Sequence, residues 1–181
     1  IDINPFAIDE KGGIVIDANI ILDPGFDDKK LKPYQHLVIS PYPRQYIKNI
    51  CLHNGREVTL RPIRPEDAPL EAELFEYLSK ETIYFRFFGY VPSLDHGMLS
   101  RFTHIDYDRE MAIVAEIEND EGKKQLIGVV RCVGDAWNEA TENAIVIADN
   151  WQGMGLGSIM LAYIIEIARE SGYQRIYGTL L

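Results

Sequence analysis

Three glycines at alternate positions mark the part of the sequence best suited to hold a charged ligand. Gly153, Gly155 and Gly157 lie between an apolar run predicted as a strand over 143–149 and an amphipathic run predicted as a helix over 156–170. Unpaired N–H groups at a helix start and the helix dipole both favour an anion. Because glycine has no Cβ, the backbone can approach that anion closely. The pattern predicts a cradle for a pyrophosphate group.

Two common phosphate-binding motifs do not fit this segment. A P-loop has the pattern Gly-x-x-x-x-Gly-Lys-Ser/Thr, and residues 150–160 contain no lysine. A dinucleotide-binding turn has the pattern Gly-x-Gly-x-x-Gly near the start of a βαβ unit. Here the spacing is Gly-x-Gly-x-Gly, and the segment follows strands predicted to be mainly antiparallel. Neither nucleotide motif accounts for the glycines.

The same residues resemble a third kind of pyrophosphate site. Residues 152–157, Gln-Gly-Met-Gly-Leu-Gly, are similar to the Gln/Arg-x-x-Gly-x-Gly/Ala signature of GNAT acetyltransferases, at the strand-to-helix junction where that family carries it. The resemblance extends over 57–181 and includes residues 58–67, 79–89 and 108–115. Within the family, the chain resembles the GNAT domain of bacterial protein lysine acetyltransferases that are fused to an acyl-CoA-synthetase-like region.

This resemblance implies a fold and a donor site. The fold is the GNAT fold, of the α/β (α+β) class, with a mixed, mostly antiparallel sheet flanked by helices. The co-substrate is acetyl-CoA, whose pantetheine arm would pair with backbone groups near Ile145 and Ile147. The pyrophosphate is expected on the backbone N–H groups of Gln152, Gly153, Met154, Gly155, Leu156, Gly157 and Ser158. The acetyl group would pass directly to an amine, without a covalent enzyme intermediate.

An amine must lose a proton before it attacks, and a carboxylate can remove that proton directly or through water. Glu142 lies just before the predicted cradle strand, where the resemblance places the glutamate of the related lysine acetyltransferases. The competing interpretation is a solvated loop carboxylate. Glu116 is the second candidate, for which a place on the surface of a strand is the alternative. We expect no metal ion at this site.

The elements that position these residues follow from periodicity and turn residues. A hairpin is predicted over 46–63, with Asn54 and Gly55 in a type I′ turn. A helix opens at Pro65, and a second short helix is predicted with Ser93 as its cap. The predicted order is strand, two helices, three strands, helix and strand. The strands after the helices are expected near 111–118, 125–133, 143–149 and 173–181.

The beginning of the chain differs in character from the rest. Residues 1–23 are predicted to form two short strands around a Gly-Gly turn, and they resemble the end of the ATP-grasp domain of acyl-CoA synthetases. In that family the positions of Asn4 and Asp17 hold Mg²⁺. Because nearly all of such a domain is absent here, we expect Asn4 and Asp17 to bind no metal.

The remaining sequence divides into a linker and one domain. Residues 24–45 contain four prolines, which restrict the backbone and predict a semi-extended linker. Residues 46–181 are predicted to be the GNAT domain. The family continues beyond the last predicted strand with a helix and two more strands, so we expect this domain to be truncated at its C-terminal end.

Bulk properties exclude several classes of protein. The net charge is −10, which disfavours binding to a nucleic acid backbone. No apolar run is long enough to span a membrane, and the first ten residues do not resemble a signal peptide. Cys51 and Cys132 are the only cysteines and lie in strand-like runs, which is typical of reduced thiols in a cytoplasmic protein.

These observations lead to one preferred function and one alternative. The preferred function is acetyl transfer from acetyl-CoA to a protein lysine side chain, with an acyl-CoA synthetase as one candidate acceptor. The alternative is a non-catalytic acyl-CoA sensor that regulates the fused synthetase. No nucleic acid or membrane partner is expected, and self-association into a homo-oligomer is left open.

Overall fold

The larger of two units in the chain contains every residue expected to bind acetyl-CoA or to act as the base. Contacts divide this computed structural model into residues 1–36 and residues 37–181. The structure describes residues 2–3, 5–20, 40–119, 121–135 and 139–179. Asn4 and most of the predicted linker therefore lie outside the described residues. Within the described ranges, no helix combines the length and apolarity needed to cross a bilayer.

The described residues of the smaller unit form two antiparallel strand pairs. β1 (Asp2–Ile3) pairs with β4 (Ala18–Asn19), and β2 (Phe6–Asp9) pairs with β3 (Gly12–Val15). The predicted Gly-Gly turn is wrong, because both glycines belong to β3 and the turn is Glu10-Lys11. The Asp9 carboxylate closes this turn by accepting a hydrogen bond from the Lys11 N–H at 2.8 Å. In the part of the chain that the structure describes, no group of three His, Cys, Asp or Glu side chains could hold a metal ion.

Six strands of the larger unit form one mixed sheet. In spatial order they are β10 (Arg175–Tyr177), β9 (Ala140–Ile147), β8 (Lys124–Gly134), β7 (Glu110–Glu118), β6 (Glu57–Pro62) and β5 (Lys48–Cys51). All neighbouring strands are antiparallel except β9 and β10, which are parallel because a helix connects them. The predicted mixed, mostly antiparallel sheet with flanking helices is confirmed.

Both sides of this sheet are covered, so its central strands are apolar along most of their length. In β7, Ile113 and Ala115 face one side, whereas Ala112 and Val114 face the other. The first side is covered by α4 (Leu156–Glu170). Its apolar stripe at helical spacing is buried against the sheet and consists of Leu156, Met160, Ile164 and Ile167.

Three helices, rather than the predicted two, lie on the other side of the sheet. They are α1 (Ala68–Glu76), α2 (Lys80–Phe87) and α3 (His96–Thr103). α2 forms separately because the Ser79 hydroxyl caps it, accepting a hydrogen bond from the Thr82 N–H at 3.2 Å. The predicted cap at Ser93 is also wrong. α3 is capped by Asp95, whose carboxylate accepts a hydrogen bond from the Met98 N–H at 2.8 Å.

The β5–β6 hairpin is present, but its turn is not of type I′. Gly55 has a φ of 80°, whereas Asn54 does not share a positive φ. The loop is wider and is closed by a hydrogen bond between the Leu52 N–H and the Arg56 carbonyl at 2.9 Å. The Asn54 side chain favours this loop, since it accepts a bond from the Arg56 N–H at 3.0 Å and donates to Met154 Sδ at 3.4 Å. The loop is thereby held against the glycine-rich segment.

A buried ion cluster joins the beginning of α1 to the sheet. The Arg61 guanidinium donates to both carboxylate oxygens of Asp67, at 2.7 and 2.8 Å, and to Glu116 at 2.6 and 2.9 Å. Lys124 donates to the second oxygen of Glu116 at 2.8 Å. Each buried charge thus has a hydrogen-bonded partner of opposite sign, as a buried charge requires. The cluster fixes where the chain leaves β6 and enters α1.

We expect Arg61→Leu to lower the free energy of unfolding by about 3–5 kcal/mol, because it leaves Asp67 and Glu116 buried without their counter-ion. Urea denaturation followed by circular dichroism measures this change. Glu121→Gln is the matched control, since the ion pair between Glu121 and Lys123 is exposed and should contribute little. Equal effects of the two substitutions would contradict the role of the cluster.

Candidate functional site

The parallel strands β9 and β10 are paired for only three residues. Arg175, Ile176 and Tyr177 of β10 lie opposite Ala140, Thr141 and Glu142 of β9. On its other edge, β9 is paired with β8 as far as Ile147. Among the described residues, the edge of β9 that faces β10 is therefore open from position 144 to position 147. Backbone groups on such an edge are available to a ligand.

Alternation along β9 decides which backbone groups reach the open edge. The Ala148 N–H donates to the Ile127 carbonyl of β8 at 2.9 Å, so the groups of Val146, two positions earlier, also face β8. Ile145 and Ile147 consequently direct their backbone groups to the open edge. The Ile147 carbonyl already accepts a bond from Gln152 Nε2 at 3.0 Å. A ligand could therefore use the Ile145 N–H and carbonyl and the Ile147 N–H.

The glycine-rich segment turns in the left-handed region before it enters α4. Gly153 and Gly155 have φ values of 71° and 83°, which favour glycine. No side chain caps α4, and its first turn contains no acidic residue. The N–H groups of Leu156, Gly157 and Ser158 therefore have no partner within the helix, and no carboxylate of the first turn neutralises the positive end of its dipole. This geometry suits an anion such as a pyrophosphate.

The surroundings of the glycines show how closely a ligand can approach. A Cβ placed on Gly153 would meet no atom within 4 Å, so the space beside it is open. A Cβ on Gly155 would lie 3.2 Å from the His53 ring in the β5–β6 loop. His53 and Asn54 border the cradle, yet neither was predicted to do so. No local pattern could have revealed them, because Asn54 and Met154 are 100 positions apart.

The Gln152 side chain is bound to β9 and α2 rather than free to meet an anion. Its Nε2 donates to the Ile147 carbonyl at 3.0 Å and to the Thr82 hydroxyl at 3.3 Å. Asp149 holds the same part of α2, since its carboxylate accepts bonds from the Ser79 N–H at 2.9 Å and from the Thr82 hydroxyl at 3.0 Å. The Gln152 backbone N–H is also engaged, because it donates to the Asp149 carbonyl at 3.2 Å, so the groups left for an anion begin at Gly153.

Glu142 lies within β9 and not before it as predicted, because the strand begins two residues earlier, at Ala140. It pairs with Val133 of β8 and Tyr177 of β10, so it stands at the last pair between the two parallel strands. Its side chain is exposed. By strand alternation, this side chain shares the α1–α3 side of the sheet with Val146. An amine approaching from that side can reach both Glu142 and a group held at the open edge.

A small cavity of about 20 Å³ lies between that side of the sheet and the three helices. Glu71 of α1, Arg86 of α2 and Arg131 of β8 bring charge to an otherwise apolar and aromatic lining. Arg131 donates to the Phe102 carbonyl at 2.6 Å. Glu71 Oε2, in contrast, is buried without a hydrogen-bond partner among the described residues. The two guanidinium groups and the carboxyl group thus share the cavity without a direct hydrogen bond between them.

Burial dominates the protonation of this charged cluster. It raises the pKa of Glu71, and the nearby Arg131 and Arg86 reduce this effect without cancelling it. Burial also lowers the pKa of Arg86; repulsion by Arg131 acts in the same direction, whereas Glu71 and Glu142 oppose it. The electrostatic effect of Glu142 on Arg86 links the cavity to the last pair between β9 and β10.

Glu116, the second candidate for the base, is committed to the ion cluster of Arg61. Burial tends to raise the pKa of Glu116, but hydrogen bonds from Lys124 and Arg61 outweigh it and hold the pKa below its ordinary value. Glu116 also lies on β7, two strands away from β9. The structure therefore gives Glu116 a role in stability rather than beside the cradle.

The region that forms this site matches a known family. Residues 73–180, which contain Glu142 and the whole cradle, match the model of the acetyltransferase (GNAT) family. An acetyltransferase of Pseudomonas aeruginosa is 34% identical over 127 residues, which cover 70% of this chain and 68% of that protein.

Solved structures agree with this match. The GNAT domain of the S. lividans protein PAT has a TM-score of 0.71 and 30% identity, covering 78% of this chain and 82% of that one. A GNAT superfamily phosphinothricin acetyltransferase of Sinorhizobium meliloti, in complex with AcCoA, has a TM-score of 0.54 and 19% identity. That likeness covers 68% of this chain and 65% of the other and is one of fold alone.

We expect Glu71→Gln to raise the free energy of unfolding at pH 8, because burial disfavours the Glu71 carboxylate. A carboxyl group whose pKa is higher in the folded than in the unfolded state destabilises the fold above the folded pKa. It has no such effect below the unfolded pKa, which is about 4.3 for glutamate. The advantage of the variant should therefore shrink as the pH falls toward that value.

Urea denaturation at a series of pH values tests this expectation for Glu71→Gln. Glu76→Gln, which changes an exposed carboxyl group on the same helix, is the control. An advantage of Glu71→Gln that stayed constant over the whole pH range would contradict a carboxyl group that ionises while buried.

Proposed function

The chain belongs to the GNAT family of N-acetyltransferases, and on that premise we propose that its acceptor is the side chain of a protein lysine. Acetyl-CoA is the co-substrate, as in other acetyltransferases of this fold. The donor site proposed here consists of Ile145, Ile147 and residues 152–158. Glu142 is proposed as the base. The observation that carries this assignment is that the pairing of β9 with β10 ends at Glu142.

The donor site fits the shape and charge of acetyl-CoA. Seven consecutive backbone positions, 152–158, include two glycines in the left-handed region and an uncapped helix start, which together suit a pyrophosphate. The Ile145 N–H and carbonyl and the Ile147 N–H face the open edge of β9, where an extended amide-containing arm can pair as a strand does. Glu142 and Ile147 are five residues apart, or about 16 Å along a strand. The arm can therefore run from the cradle toward Glu142.

The proposed reaction is a direct transfer. A lysine ammonium group that enters beside Glu142 gives up a proton to this carboxylate, directly or through water. The neutral amine nitrogen then bonds to the thioester carbonyl carbon, and the carbon–sulfur bond breaks. As the amide forms, the nitrogen releases its second proton, which the thiolate of CoA takes up through water. A backbone N–H on the open edge of β9 polarises the acetyl carbonyl while negative charge develops on its oxygen.

The cysteines are poorly suited to carry the acetyl group. Cys132 is buried, and burial raises the pKa of its thiol to about 11, so the thiol is protonated at neutral pH. Cys51 is exposed but lies on β5, at the opposite edge of the sheet from β9. These placements favour direct attack by the amine over transfer through an acyl-cysteine.

The exposure of Glu142 supports a macromolecular acceptor. A lysine on the surface of a folded protein can reach only a base that is itself near the surface, and the Glu142 side chain is exposed. Tyr177, opposite Glu142 on β10, is also exposed and offers apolar surface to the alkyl part of a lysine. The net charge of −10 favours the approach of a cationic acceptor.

A fused synthetase region is part of the same proposal. Residues 1–23 would be the end of an ATP-grasp-like domain, an acyl-CoA synthetase would be one candidate acceptor, and the protein would act in the cytoplasm. The smaller unit is consistent with this, since it leaves Ile8, Ile14 and Ile16 exposed and its described strands are too small to bury a core. Such side chains are usually covered in a larger domain.

We expect Gly155→Glu to abolish binding of acetyl-CoA, because the new carboxylate would occupy the helix start and repel the pyrophosphate. Isothermal titration calorimetry measures the affinity for acetyl-CoA, and titrations with ATP and NAD serve as controls for ligand specificity. Gly122→Glu is a matched control, since Gly122 also has a positive φ, 74°, but lies in the β7–β8 turn. Unchanged acetyl-CoA binding by Gly155→Glu would contradict the cradle.

We expect Glu142→Gln to reduce kcat by about 10²–10⁴-fold, the range that general base catalysis contributes. Acetyl-CoA should bind as tightly as before, because its contacts are with the backbone. Turnover with lysine peptides and calorimetry measure the two quantities. Glu139→Gln, which changes an exposed carboxyl group three residues earlier, should keep full activity. Full turnover by Glu142→Gln would exclude Glu142 as the base.

A further inference from the structure

The Thr82 hydroxyl joins α2 to the segment between β9 and α4. It donates to Asp149 Oδ1 at 3.0 Å and accepts bonds from Ser79 Oγ at 3.1 Å and Gln152 Nε2 at 3.3 Å. These bonds use the one donor and the two acceptor sites that a hydroxyl has. The Gln152 amide nitrogen is equally committed, because its other N–H group bonds to the Ile147 carbonyl.

The same face of α2 continues to the charged cavity. Thr82 and Arg86 are four residues apart, so they lie one above the other on the helix. Thr82 is bound to the cradle end of β9, whereas Arg86 lines the cavity together with Glu71. α2 thus reaches from the proposed donor site toward the proposed base, Glu142.

α2 depends on such contacts for its position. It has eight residues, fewer than the roughly 12–15 that an isolated helix needs to be stable in water. It is followed by Phe88, whose φ of 53° lies in the left-handed region that disfavours a side chain. The bonds that Thr82 makes at the other end of the helix are therefore important for holding it.

We propose that Gln152 and Thr82 are positioning residues that couple occupancy of the acetyl-CoA cradle to the position of α2, and through it of Arg86. A pyrophosphate on the backbone of residues 153–158 fixes the adjacent Gln152, and the Gln152 amide then holds Thr82. This inference rests on the proposed donor site. It means that bound acetyl-CoA places α2 and Arg86 in position before the amine acceptor binds. By linkage, an acceptor that holds α2 tightens acetyl-CoA binding by the same factor.

Amide hydrogen exchange on the 181-residue chain tests the coupling without any acceptor. In the unaltered chain, saturating acetyl-CoA should slow amide exchange in residues 152–158 and also in residues 80–87. In residues 80–87 the exchange should slow roughly tenfold, because one or two hydrogen bonds change the free energy of local opening by about that factor. In Thr82→Val, acetyl-CoA should still protect the cradle but no longer α2. Thr82→Ser keeps the hydroxyl and should restore protection of α2.

The exchange pattern separates this inference from the proposed function. Protection of α2 by acetyl-CoA that is equal in Thr82→Val and in the unaltered chain would overturn the coupling, and so would protection of the cradle alone in the unaltered chain. Protection of neither segment would overturn the donor site and the coupling together. Circular dichroism of Thr82→Val verifies its fold, and Glu81→Gln, a change at an exposed position of α2, should behave as the unaltered chain.

Steady-state kinetics provide an independent measurement. Thr82→Val should raise the KM for a lysine peptide about tenfold, from the loss of one or two hydrogen bonds, and change the dissociation constant of acetyl-CoA less than about twofold. Thr82→Ser should restore the KM. An unchanged KM in Thr82→Val, or equal losses for both substrates, would overturn the positioning role.

Discussion

The backbone of β9 has two edges that need hydrogen-bond partners, and neighbouring strands pair with one edge along a greater length than with the other. β8 accompanies one edge as far as Ile147, whereas β10 accompanies the other for only three residues. Backbone N–H and C=O groups of β9 that β10 does not pair need another hydrogen-bond partner. One of them, the Ile147 carbonyl, finds the Gln152 side chain. The remaining groups are the N–H and carbonyl of Ile145 and the N–H of Ile147. A co-substrate with amide groups can pair with them as a neighbouring strand would.

The two sides of the sheet contribute different parts of that site. α4 contributes the uncapped helix start, and α1 to α3 contribute charge and aromatic surface. Three glutamates differ in charge state and exposure because their surroundings differ. Glu116 is ionised by its cationic partners, Glu71 is held toward its neutral form by burial, and Glu142 remains exposed. Only Glu142 combines access for an amine with proximity to the open edge.

The parts of the structure that depend on local pattern could be predicted from the sequence, and those that depend on distant contacts could not. The strand, glycine turn and helix around residues 145–170 follow from periodicity, and the fold class follows from the resemblance they carry. The prediction of a type I′ turn at Asn54 is wrong, because the Asn54 side chain bonds to the distant Met154. The separate helix α2 was missed, although the Ser79 and Thr82 capping pair is a local signal for it.

The residues that surround the cradle illustrate the same limit. His53 and Thr82 border it from elements far away in sequence, and no spacing rule connects them with Gly155 or Gln152. The role of Glu116 also depends on a distant partner, because Arg61 lies 55 positions earlier. Resemblance to a family indicates which residues of this chain match the family's motifs. It does not indicate which distant residues pack around those motifs in this chain.

The contact between Asn54 and Met154 has a consequence for the order in which the protein matures. The hairpin loop that borders the cradle is made 100 residues before the helix start that it meets. At about 5–20 residues per second, a ribosome needs about 5–20 s to synthesise the residues between them. During this time the β5–β6 loop has no glycine segment to pack against, and contacts of such long sequence separation form slowly. The cradle is therefore completed only after β5 to β9, the strands that precede it, have been synthesised.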